Sequence, residues 1–207
     1  MEFQQIRDRL VLAALPHVVF DGWSTKALTQ AARDEGLDPT LAERAFLGGP
    51  VDAVEHFSDL ADRMMAEDLA LVDMTTLRVP DRVYLAIEAR LKRWAPHREA
   101  VRRAMAVLAL PPHGTVAMQI TFRTVDAIWH LAGDSSNDFS WYTRRATLAA
   151  VFSATVLCWL DDESEDGADT WAFLRRRLAD VGRITSTRKR VAAWLKTLPK
   201  PGRVFAR

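Results

Sequence analysis

Between Ala146 and Leu160 the chain reads ATLAAVFSATVLCWL, fifteen residues without a charge. A bilayer span needs about 20 apolar residues, so the run is too short to cross a membrane. As a helix it has no polar face to offer water, and a helix apolar all round has to be buried on every side. The rest of the chain must therefore supply amphipathic helices that enclose it. One face of such a helix can instead border an apolar ligand cavity, since helical bundles often place ligands between their helices. Leu148, Val151, Phe152, Thr155 and Trp159 are the residues offered to that cavity, with plain core packing as the alternative.

The remaining sequence fits this requirement. Apolar residues recur at three and four and no sustained period-two alternation appears, so the expected fold is all-α, a single bundle of about nine or ten helices. At 207 residues, 49% of them apolar, one domain can bury a substantial core. Helices are expected over 3–20, over STKALTQAARD with Ser24 as N-cap and Gly36 as stop, over PTLAERAF, and from Pro50 through Met74. Further helices are expected over 81–95, 99–110, 115–132, 139–160, 168–183 and 187–198, joined by the breaker-bearing APH, LPPHG and DESEDG. The expected division is a helical domain over 1–186 and a short basic amphipathic helix and tail over 187–207.

Lys and Arg number 28 against 27 Asp and Glu, so no global field draws the chain to nucleic acid or membrane. The single cysteine, Cys158, suits a reducing compartment, and its apolar surroundings suggest a buried small hydrophobe rather than a nucleophile. MEFQQIRDRLVLAAL carries charge where a signal peptide needs an apolar stretch, so the expected location is cytoplasmic. The five histidines are scattered; Asp126 and His130, four apart, suggest a helix-surface hydrogen bond. With no Glu-x-x-His pair, calcium loop, phosphate cradle or serine elbow, the expectation is no catalytic residue, no metal, no cofactor and no enzyme.

The first helices follow the layout of TetR-type repressors: a helix, two short helices about a tight turn, then a long one. Reading DNA requires cations against phosphate. LAERAF offers only Arg44, beside Glu43, and residues 34–68 hold ten acids against two bases. A vestigial helix-turn-helix that binds no nucleic acid is expected, with a ligand-responsive TetR-type regulator as the alternative.

GDSSNDFSWYTRRA, just ahead of the charge-free run, sets Trp141 and Tyr142 in a first helical turn with Arg144 and Arg145 behind them. Asp138 or Ser140 can cap this helix. Cations there oppose the helix dipole by about 0.3–1 kcal/mol each, so the arginines call for acidic partners, with Asp134 and Asp138 nearest. DAIWHLAGDSSNDFSWYTRRATLAAVF, with LPPHG upstream, DTWAFLRRRL downstream and AALPHVVFDGWS and HFSDLADRM earlier, resembles the accessory lipid-binding proteins of ubiquinone biosynthesis, the coenzyme Q protein nine family.

The resemblance spans about residues 8–182 and implies a dimer with a TetR-like fold. It also implies a pocket for isoprenoid quinone intermediates and, as partner, the demethoxyubiquinone hydroxylase. The partner surface it implies falls on Ile128, Ala132, Asp138, Trp141 and Tyr142, braced by Arg144 and Arg145.

Residues 183–207 carry eight bases and no acid. Val191, Trp194, Leu195 and Leu198 share one helical face, with Arg188, Lys189 and Arg190 beside it. Such a helix suits an anionic membrane interface, each base contributing about 1 kcal/mol near the surface. Peripheral association with the inner face of the membrane is the expectation, and packing of Trp194 and Leu198 on the body the alternative.

Overall fold

The computed structural model describes the backbone of residues 3–134 and 139–197 and the side chains of 3–134 and 141–183. Among these residues there are nine α-helices and no strand. They are α1 (Phe3–Asp21), α2 (Thr25–Asp34), α3 (Thr40–Ala45), α4 (Pro50–Leu69), α5 (Val79–Arg93), α6 (Arg98–Leu108), α7 (Gly114–Leu131), α8 (Phe139–Asp161) and α9 (Ala168–Thr197). Single 3₁₀ turns precede α6, α7 and α9.

Local chemistry sets many of the ends. Ser24 caps α2, its hydroxyl accepting from the Ala27 amide at 3.2 Å. The turn after α2 is a Schellman motif: Gly36 N–H donates to Arg33 C=O and Leu37 N–H to Ala32 C=O. Pro50 stands at the start of α4, where its missing N–H leaves no unmade bond. Two boundaries differ from expectation. Helix α4 stops at Leu69, ahead of the turn-rich VDMTTLR, and α9 runs unbroken through 183–187, where two helices were expected. Nothing in RITSTRK breaks a helix, so one continues.

The core is continuous. Trp23, Phe57 and Trp94 pack in a row through its middle, the first two rings tilted at a 5.2 Å centroid distance and the last two edge to face at 4.7 Å. The Trp23 N–H donates to Ala100 C=O at 2.9 Å, tying the α1–α2 turn to α6. Between α1 and α4, Asp8 accepts from His56 at 2.7 Å and from Arg63 at 2.6 Å. Burial, helped by the nearby Arg7 charge, lowers the His56 pKa despite this carboxylate.

Helix α8 is less enclosed than its composition suggests. Leu148, Val151, Phe152, Thr155, Val156, Trp159 and Leu160 are buried, but Ala146, Ala150 and Leu157 face outward, Leu157 at 55% exposure. Cys158 is likewise only partly buried. The expectation of burial on every side fails within one chain because α8 lies at the flank of the bundle, packed mainly against α7 and α9.

Candidate functional site

Two places combine chemistry with position: the corner between α7 and α8, and a cavity behind it. At the corner Gly133 takes φ +82°, a conformation open to glycine and strained for other residues. Its N–H donates to His130 C=O and the Asp134 N–H to Trp129 C=O, both at 3.0 Å, which closes α7 in a Schellman motif. Arg82 covers the turn, donating to the carbonyls of Leu77, Thr75 and Ala132. A β-carbon at position 133 would stand 3.0 Å from the Arg82 Nη1, so any other residue there would also crowd the guanidinium that covers the turn.

Asp134 is then held inward, its side chain only 6% exposed. It accepts from Arg144 at 2.8 Å and pairs with Arg145 at 3.5 Å. Arg145, itself buried, donates from Nε to Asp126 at 2.7 Å and lays its guanidinium 3.9 Å from the centre of the Trp141 ring. The expected acidic partner of the arginines is Asp134. Asp126 was assigned to His130 on spacing, but its carboxylate receives Arg145, which reaches it from the next helix. Trp141, half-buried, meets Tyr142 edge to face at 4.7 Å, and Tyr142 stands 68% exposed. A fixed cation under one ring holds an exposed aromatic in place.

Of the five residues expected to meet a partner, Trp141 and Tyr142 are displayed. Ile128 and Ala132 are both 0% exposed: they pack beneath the corner and give a partner no surface of their own, because the inner face of α7 is already filled. Asp138 lies outside the described residues.

The cavity measures about 90 Å³ and lies among α4, α5, α6, α7 and α8. Its wall is largely apolar, with Leu91, Ala104, Leu108 and Ile120 among the contributors. Of the α8 residues offered to a pocket, Phe152 and Trp159 line it. Leu148, Val151 and Thr155 do not; Thr155 donates to the Val151 carbonyl within its own helix. Ser153 and Val156 take their place, because the cavity faces the 152–156–159 stripe.

Sequence reasoning also missed a buried polar cluster centred on Asp62, whose partners Ser58, Arg90 and Thr124 line the wall. Asp62 accepts from Arg90 Nε at 2.8 Å and from the Thr124 hydroxyl at 2.9 Å, while Arg90 Nη2 donates to Ser58 Oγ at 3.0 Å. The signal was an acid at position 62, four after buried Ser58 and three before buried Met65, where the α4 period asks for an apolar side chain.

The would-be DNA reader is α3, six residues that expose Glu43 and Arg44. The surrounding acids form a weaker field than their number suggests. Arg7 pairs with Asp52, Arg9 with Glu35, Arg90 with Asp62 and Arg93 with Asp68, each base arriving from outside residues 34–68. Among the described residues no group of three or more His, Cys, Asp or Glu is placed to hold a metal, and no helix is long and apolar enough to cross a membrane. The backbone of 188–195 lies within α9; the side chains of Arg188, Lys189, Arg190, Val191, Trp194 and Leu195, and all of Leu198, fall outside the described residues.

The COQ9 family model matches residues 115–185, which contain α7, the corner, α8 and the start of α9. The human ubiquinone biosynthesis protein COQ9, mitochondrial, is 34% identical over 195 residues, covering 91% of this chain and 61% of its own length. The Xenopus tropicalis protein of that name is 35% identical, covering 92% and 62%, and Xenopus laevis COQ9-B is 34% identical, covering 92% and 67%. The chain thus spans about three fifths of the human and Xenopus tropicalis relatives. In fold it resembles the TetR transcriptional regulator from Nitrosomonas europaea ATCC 19718, with a TM-score of 0.68 at 21% identity over 84% of this chain and 97% of that one. With an all-α TetR-like architecture and this level of identity along nine tenths of its length, the chain belongs to the COQ9 family.

Proposed function

We propose that the protein acts in ubiquinone biosynthesis as a non-catalytic accessory protein that binds isoprenoid quinone intermediates and presents them to the demethoxyubiquinone hydroxylase. The observation that carries this reading is the α7–α8 corner. Ion pairs made by the buried Arg145 and Asp134 brace a half-buried Trp141 and an exposed Tyr142 there, and this lies inside the family-matched stretch of a chain whose relatives are named for ubiquinone biosynthesis. Rigid aromatics at a well-braced site are what protein interfaces use as anchors. The apolar cavity supports lipid binding, although at about 90 Å³ it is below the ~300–1,000 Å³ of ordinary ligand pockets, so a quinone enters by moving side chains.

The same reading makes the protein a homodimer that lies peripherally on the inner face of a membrane. The outward apolar side of α8 supports the dimer, and the basic residues of 183–207 support membrane contact. The regulator alternative has less behind it, since α3 exposes one cation to a duplex. Trp141→Lys tests the corner: association with purified hydroxylase, followed by biolayer interferometry, is expected to fall at least about tenfold with helicity and lipid content unchanged. Undiminished association sinks the docking assignment.

A further inference from the structure

We infer that the cleft between the α5–α6 turn and the α8–α9 turn binds a zwitterionic group, an ammonium and an oxyanion joined by a short link, as in phosphoethanolamine. The site is distinct from the apolar cavity and does not depend on the lipid-binding reading.

The cleft measures about 850 Å³, within the ~300–1,000 Å³ of ordinary ligand pockets. Trp159 and Trp171 line it, and Trp159, which also lines the cavity, stands between the two. Each ring carries a cation: the Arg98 guanidinium lies 5.0 Å from the centre of Trp159, and the Lys92 Nζ 5.5 Å from that of Trp171. Glu163 and Asp166, both exposed, line the same cleft from the α8–α9 turn.

The charges of the cleft differ from their neighbours in how they are paired. Around it Arg93 pairs with Asp68, Arg102 with Asp161 and Arg103 with Glu99, and Lys92 is held by Glu88 at 3.0 Å. Arg98, Glu163 and Asp166 make no ion pair among the described residues. Arg98 donates instead to the Asp162 backbone carbonyl, and the Asp162 carboxylate is taken up by the amides and hydroxyls of Ser164 and Thr170. A carbonyl and a ring thus fix the guanidinium, which keeps N–H donors in hand and has no carboxylate to meet them.

Asp166 is fixed too. It takes φ +52°, uncommon for a residue other than glycine, and its carbonyl accepts from the Trp171 indole at 2.8 Å. Unpaired charges of opposite sign therefore line one cleft without meeting across it. An oxyanion alone is drawn to Arg98 and repelled by Glu163 and Asp166, and an amine alone has the reverse difficulty. A ligand that carries both groups meets both walls, its oxyanion on the guanidinium fork and its ammonium on the carboxylates.

Two-dimensional NMR titration of the full chain with phosphoethanolamine, inorganic phosphate and ethanolamine tests this. Phosphoethanolamine is expected to bind at least about tenfold tighter than either half, with shifts centred on residues 92–98 and 162–171. Glu163→Gln combined with Asp166→Asn should weaken phosphoethanolamine about five- to tenfold and leave phosphate no weaker, whereas Arg98→Gln should weaken both. The double variant changes exposed side chains alone, so it decides the matter even where thermal melts show that Arg98→Gln has lost its fold. Vesicles of phosphatidylcholine, with and without phosphatidylethanolamine, identify the source: displacement of phosphoethanolamine by the second kind alone assigns a membrane headgroup, and no displacement a soluble molecule. Phosphoethanolamine that fails to bind or binds no tighter than phosphate, affinity indifferent to the double variant, or shifts away from the two turns each overturns the proposal.

Discussion

The turn after α2 and the turn after α7 close in the same way. In each a glycine at positive φ, Gly36 at 65° and Gly133 at 82°, ends the helix through the same two backbone hydrogen bonds. The next residue makes the difference. After Gly36 comes Leu37, which packs against the core, the usual apolar companion of this motif. After Gly133 comes Asp134, a carboxylate drawn inside to hold arginines that arrive ten and eleven residues later. The first turn is fastened by an apolar side chain and its charges pair nearer the surface, Arg9 with Glu35 and His17 with Asp34. The second is fastened by charge, and the charges present a pair of aromatic rings. One backbone device thus serves packing in one place and display in another, and the side chains just beyond the glycine decide which.

The largest expected effect follows from how deeply the two sets of charges lie. Arg145 and Asp134 are 7% and 6% exposed, so Arg145→Ala strands buried carboxylate charge and should cost about 3 kcal/mol in urea denaturation, the low end for broken buried pairs because Arg144 remains. Arg9→Ala breaks a pair that is 37% and 32% exposed, and about 1 kcal/mol or less is expected. Similar losses from both would mean that burial is not what separates the corners.

A smaller effect separates the glycines themselves. Gly36→Ala meets nothing within 4 Å, so only the left-handed conformation is penalised, at about 1 kcal/mol. Gly133→Ala adds a contact 3.0 Å from the Arg82 Nη1 and should cost about 2 kcal/mol, measured as the shift of the urea midpoint at constant slope. Combining Gly133→Ala with Arg82→Ala sharpens the comparison: if crowding of Arg82 is the cause, the two losses should add to less than their sum.

Features set by neighbours in sequence were legible. The Ser24 cap, the stop at Gly36, the near-complete set of helices and the pairing of Arg144 and Arg145 with Asp134 all follow from residues within about a dozen positions. What depends on distant segments was not. Arg82 lies fifty residues from the carbonyl it caps at Ala132, and Arg90 and Thr124 come from two further helices to meet Asp62 on α4. The acids of 34–68 read as a repelling surface because their bases, Arg7, Arg9, Arg90 and Arg93, are distant in the chain. The charge-free run pointed to α8 as a helix enclosed on every side and showed neither that one side faces outward nor which stripe borders the cavity, since a helix apolar all round carries no mark of its orientation.

The smallest effect on stability concerns the rings on display. Leu47, in the turn before α4, is 88% exposed, and Tyr142, at the α7–α8 corner, 68%. By exposure alone both are surface residues whose replacement by alanine changes stability by no more than about 0.5 kcal/mol. They differ in what stands behind them. Tyr142 leans on Trp141, which lies over Arg145, which is held by Asp126 and Asp134, so its ring is kept in one place and loses little freedom when a partner covers it. No such chain of contacts stands behind Leu47 in the described structure. Tyr142→Ala should therefore weaken association with the hydroxylase while Leu47→Ala leaves it unchanged, with both variants melting like the wild type. Equal weakening by the two would show that exposed apolar area, rather than a braced aromatic, drives association, and the docking role of the α7–α8 corner would fall with it.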